Sequence, residues 1–131
     1  MGLDNGIRVR RSTAPDEVLA RFDKAWHAKY GYDVDVAYWR KCWNIRSIIY
    51  HILGAREDND CQIPMTREDV LVIIAELKLI NGKNWYDLPG DSIWSWTEFK
   101  DQHKNNIANL KKLARWMKKY PNMEVYFYDS W

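Results

Sequence analysis

The chain closes on Met123-Glu124-Val125-Tyr126-Phe127-Tyr128-Asp129-Ser130-Trp131, where Val125 and Phe127 alternate with Tyr126 and Tyr128. Period-two alternation marks a strand whose two faces meet different surroundings. The opposite end carries the same signal. Ile7 and Val9 alternate with Arg8 and Arg10, after Asp4-Asn5-Gly6, which reads as a turn. These are the clearest strands in the chain, and the economical arrangement pairs them with each other. The sequence predicts an α+β fold of about four helices packed on a small antiparallel sheet formed by the N- and C-terminal strands. Residues 1–131 form a single domain on this reading. Two strands alone are marginal, so a third is expected from a loop or from a second copy, which makes a homodimer an expectation.

The residues between the ends read as helices. The first is expected from Pro15 to Gly31, with Asp16 and Glu17 at its N-terminus and Val18, Leu19, Phe22 and Trp26 on one face. The second is expected from Asp33–Asp35 to Leu53, with Gly54 as its stop and a polar stripe of Arg40, Asn44, Ser47 and His51. Thr66 and Asp69 offer a capping box for the third. The fourth starts at Ser95 or Thr97, repeats Phe99, His103, Ile107, Leu110 and Leu113, and ends before Pro121. Residues 82–96 are the least regular, and they hold three Trp and one Tyr.

The composition is that of a soluble globular domain, with 47% hydrophobic and 29% charged residues. Global disorder is excluded, and no stretch is long and apolar enough to cross a bilayer. The 20 basic and 18 acidic residues leave a net charge of +2, which lacks the strong excess of a protein held by phosphates. Nucleic acid is therefore a disfavoured partner, and the lysine face of the fourth helix reads as solvated. The opening MGLDNGIRVRR lacks an apolar signal core, so a cytoplasmic setting is expected.

No phosphate loop, nucleophile elbow or zinc-protease motif is present, and Cys42 and Cys61 lack metal-ligand spacing. No cofactor is implied. Glu57, Asp58 and Asp60 crowd one loop, and such clusters are usually just solvated. His51 and Cys61 are the available thiol–imidazole pair, weak as catalytic candidates because no local signature surrounds them. His103 reads as a satisfied core histidine and Cys42 as a buried thiol.

The 8 Trp and 8 Tyr carry more information, because rings and arginines together can hold a nucleotide-like ligand. Arg8, Arg10 and Arg11 lie on the first strand, and Arg40 and Arg46 lie among Trp39 and Trp43. The candidate ligand-binding set is Trp39, Arg40, Trp43, Asn44, Arg46 and Ser47, with Trp94 and Trp96 from the aromatic loop. Arg40 and Arg46 are six residues apart, so on one helix they diverge by about 120°.

Met1-Gly2-Leu3-Asp4, Tyr38-Trp39-Arg40-Lys41 and Val125-Tyr126-Phe127-Tyr128-Asp129-Ser130 resemble a group of small bacteriophage and prophage proteins with an MGLD start and a YWRK helix box. The chain departs from that pattern at Asn5-Gly6, Trp43 and Arg46. The resemblance carries no activity, but it implies a phage accessory role in the host cytoplasm, acting by binding rather than catalysis. Three functions are expected on these grounds. The first is capture of an anionic nucleotide-like host signal, or another way of countering host defence. The second is inhibition of a host protein through the aromatic loop 85–96. The third is a small Cys/His hydrolase or transferase.

Overall fold

The paired chain ends form the centre of the sheet. In the computed structural model, which describes residues 3–54 and 61–130, β1 (Asp4–Val9) runs antiparallel to β4 (Val125–Ser130), with Ile7 opposite Phe127. β2 (Val34–Arg40) flanks β1, and β3 (Cys61–Met65) flanks β4. The order is β2-β1-β4-β3, antiparallel throughout. The helices are α1 (Asp16–Phe22), α2 (Ala25–Tyr30), α3 (Trp43–Leu53), α4 (Arg67–Lys78) and α5 (Trp96–Lys119). The fold is α+β, as the two terminal strands indicate.

One face of the sheet is core. Ile7, Val9, Trp39, Val125 and Phe127 are buried there with Ile45 and Ile49 of α3, Ile73 and Leu77 of α4, and Leu110 and Leu113 of α5. Burying each such side chain stabilises by about 1.5–3 kcal/mol. Both long helices start with a full capping box, Thr66 with Asp69 and Ser95 with Glu98.

The helix expected over residues 33–53 is two elements. Val34–Arg40 is strand β2, and helix begins only at Trp43. The Tyr38-Trp39-Arg40-Lys41 box therefore lies on a strand and its exit, not on a helix. Its β-branched and aromatic residues suit a pleated surface, and Tyr38, Trp39 and Arg40 alternate exposed, buried, exposed. Lys41 turns the chain at φ 54°, and buried Cys42 precedes α3 as its N-cap. Asp4-Asn5-Gly6 is likewise strand rather than turn. Gly6 serves close approach: a Cβ there would lie 2.4 Å from the Ala37 carbonyl oxygen and 2.8 Å from the Tyr128 ring. The helix expected from Pro15 to Gly31 breaks at Asp23-Lys24 into α1 and α2.

The outer edge of β2 is covered by polar side chains. Gln102 and Asn106 of α5 donate to the Tyr38 carbonyl at 2.7 and 3.2 Å, Asn109 donates to that of Val36 at 3.4 Å, and Trp94 Nε1 donates to that of Arg40 at 2.8 Å.

Candidate functional site

Arg8 sits on the sheet face turned away from α3, α4 and α5. Strand register sets Asp35 and Tyr126 on either side of it, and it sets Tyr38 and Tyr128 on either side of Gly6. Helix α2 brings Trp26 and His27 to the margin of this face. With Lys24, Asp4, Gln62 and Ser130 they enclose a cleft of about 620 Å³, within the range that small-molecule sites occupy.

Arg8 is fixed on two sides. Its Nε donates to Asp35 Oδ1 at 2.6 Å, and its guanidinium carbon lies 3.7 Å from the centre of the Tyr128 ring. Burial works against the charge, but the Asp35 hydrogen bond and the acidic groups around it outweigh that and hold the guanidinium above its ordinary pKa. Asp35 also faces His27, whose Nδ1 is 4.0 Å from Oδ2. Trp26 meets the His27 ring edge-on and is 55% exposed.

The phenols on this face are held neutral. Burial and a 2.6 Å hydrogen bond to Asp4 push Tyr38 up to about 12. Burial and a 2.6 Å bond to Asp33 do the same for Tyr126, also to about 12. Burial raises Tyr128 as well, against the pull of Arg8. Among the described residues the Tyr128 hydroxyl has no hydrogen-bond partner, so its donor is available to a guest.

Arg11 holds α2 in place. Its guanidinium grips both oxygens of Asp23 at 2.6 and 2.9 Å, just before α2, and its Nε donates at 2.6 Å to the carbonyl of Tyr32, just after it. A forked pair of this kind sets direction as well as distance.

The ligand-binding residues named from sequence are not brought into this cleft, nor into one pocket. Trp39 is wholly buried on the inner face of β2, whereas Arg40 is exposed on the outer. Arg46 is wholly buried. Its Nε donates to Asp129 Oδ2 at 2.9 Å, the Tyr50 hydroxyl donates to the same oxygen at 2.5 Å, and the guanidinium lies over the Trp43 ring at 5.1 Å. The pairing of arginine with tryptophan is thus real but internal. Asn44 is buried, and its Oδ1 accepts from the Ile45 amide. Ser47 donates back to the Trp43 carbonyl. Trp96 packs with Trp85, Phe99 and His103, and Trp94 bonds the Arg40 carbonyl. The tryptophans of the aromatic loop extend the core, and Tyr86 and Ile93 are its exposed large apolar side chains.

His51 is exposed on α3, and the Cys61 side chain lies outside the described residues, as do Glu57, Asp58 and Asp60. Among the described residues no group of three His, Cys, Asp or Glu converges to hold a metal ion. Sequence reasoning missed Trp26, His27, Asp35 and the tyrosines as one site. The available signal was the pairing of the two ends, which sets the Arg8 side of β1 beside Tyr126 and Tyr128. No protein-family model, curated protein or solved structure matches the chain.

Proposed function

We propose that the protein binds a nucleotide-like small molecule in the cleft of Arg8, Trp26, His27 and Tyr128. The observation that carries this reading is the rigid Arg8, clamped between Asp35 and the Tyr128 ring, with an exposed Trp26 at the lip. Trp26 offers a stacking face for a planar base, and Arg8 with Lys24 attracts an anionic group. Asp4, Gln62 and Ser130 supply acceptors for sugar hydroxyls or a base amino group. A bare polyanion fits less well, because Asp4 and Asp35 line the same wall. The donors and acceptors favour a ligand of mixed polarity. Capture without chemistry agrees with the phage accessory role that the sequence resemblance implies, in which the protein removes a host signal by sequestering it.

Native mass spectrometry of the protein purified from bacteria, followed by a denatured run, tests the reading directly. A mass in the nucleotide range lost on denaturation is the expected result. A panel of linear and cyclic nucleotides added to apo protein should contain one that raises Tm. At a hundred times its Kd such a ligand adds about 2.7 kcal/mol. The Arg8→Met and Trp26→Ala variants should each lose that shift. No shift across the panel together with a clean apo mass would sink the proposal.

A further inference from the structure

A second concavity lies on the far side of the molecule, between α3 and α4. Ile48 and Ile52 line it from α3, and Glu68, Val72 and Glu76 line it from α4, each series at four-residue spacing. The groove measures about 780 Å³, and Val72, 47% exposed, sits at its middle. Its α4 side is acidic, with Glu68, Asp69 and Glu76, while His51 of α3 and Pro89 complete the lining.

Helix α4 sorts its charges by side. Arg67 Nε donates to the Ala114 carbonyl of α5 at 2.8 Å, and Lys78 lies against Lys111 of α5, holding the Lys111 ammonium below its ordinary pKa. Positions 67 and 78 are eleven residues apart, so on a helix of about 100° per residue they fall within about 20° of one another. The carboxylates occupy the other side, along the groove. An acidic rim therefore borders an apolar floor on a chain whose net charge is positive.

We propose that this groove docks a basic amphipathic helix of a partner protein. The lining rows of both helices repeat at i, i+4, the spacing at which one helix packs into the grooves of another. Glu68 and Glu76 are eight residues apart, about 12 Å along the axis, or a little over two turns. An apolar stripe of a partner helix fits over Ile48, Ile52 and Val72 while its flanking lysines or arginines reach the two glutamates. A second copy is a poorer occupant. The lysine-rich helix of this chain, α5, keeps its apolar face in the core and has no stripe left to insert.

The test is fluorescence anisotropy with a labelled leucine–lysine peptide of about 14 residues, roughly four helical turns. A peptide of the same composition in scrambled order serves as control. Saturable binding of the patterned peptide is expected, weakened about tenfold or more in Glu68→Lys/Glu76→Lys, since like charges at an interface repel strongly. Both positions are exposed, and Glu76→Gln is a milder variant expected to weaken binding in the same direction. The Arg8→Met cleft variant should bind the peptide as the parent does. Equal binding of the scrambled peptide would reduce the site to general charge attraction, and equal binding by the charge-reversed protein would place it elsewhere. Either result overturns the proposal, as does loss of binding in Arg8→Met.

Discussion

Protonating His103 would put a second N–H into a site with one acceptor. Its Nε2–H donates to the Leu77 carbonyl at 2.8 Å, and Nδ1 is buried with no partner among the described residues. Burial holds its pKa below the ordinary histidine value, with the Leu77 bond opposing. The folded state therefore takes up this proton less readily than the unfolded chain, whose histidines titrate near about 6.5. The sign follows from linkage: the contribution is complete above that pH and is lost as pH falls below it. Urea midpoints should drop on acidification through this range, and His103→Gln should drop less; an equal loss in the variant would remove His103 as the cause. Arg46 is the second residue whose role depends on burial. Truncating it in Arg46→Met leaves Asp129 charged and enclosed, which costs about 3–5 kcal/mol. Arg46→Met/Asp129→Leu should recover part of this in a double-mutant cycle, because the charges leave together while the Tyr50 bond to Asp129 is lost. Neither case was fully legible in the sequence. The apolar neighbours of His103 gave its burial, but nothing local ties Arg46 to a carboxylate 83 residues away, so it read as a ligand-gripping arginine.

At the scale of elements, the strand hidden inside an expected helix is the main divergence. Val34-Asp35-Val36 has period two, but Tyr38, Trp39, Cys42, Trp43 and Ile45 continue the apolar positions straight into α3, and a wide arc on one helix describes them equally well. The break falls at Lys41, a residue type that seldom signals one. Its left-handed backbone costs an L-residue about 1–2 kcal/mol, most of which glycine avoids. Lys41→Gly should therefore stabilise by up to about 1 kcal/mol, and Lys41→Val should destabilise, with Tm as the readout. The amides of α5 explain how β2 survives at the sheet edge. Gln102, Asn106 and Asn109 stand at i, i+4 and i+7 and point at its carbonyls. In sequence they are merely polar positions of an amphipathic helix. Gln102→Ala/Asn106→Ala leaves the Tyr38 carbonyl without both donors, and hydrogen bonds at this exposed to half-buried position are worth about 0.5–1.5 kcal/mol each. Chemical denaturation measures this, and an unchanged midpoint would show that solvent replaces the amides.

At the scale of the molecule, the pairing of the chain ends decided both the fold and the cleft. Once β1 lies beside β4, alternation alone sets Ile7 and Phe127 inward and Arg8 and Tyr128 outward. The α+β architecture was legible for that reason. The cleft was not, because its remaining walls come from α2, which Arg11 positions through Asp23 and Tyr32, and from a β2 strand read as helix. The same topology bears on self-association. Two strands would have needed a third from elsewhere, and a second copy was one source. The sheet instead recruits β2 and β3 from its own chain. The edge at β2 is covered by the α5 amides and Trp94. The edge at β3 is five residues long and contains Pro64, which has no N–H to offer a further strand. Strand addition between copies thus lacks a template at either side among the described residues. The protein should run as a monomer in light scattering across a wide concentration range, while Gln102→Ala/Asn106→Ala/Asn109→Ala, which removes the α5 amides from the β2 edge, should begin to associate as concentration rises. A parent protein that dimerises would have to do so through helical surfaces, and protection of the β2 amides from hydrogen exchange would then be unchanged by dilution.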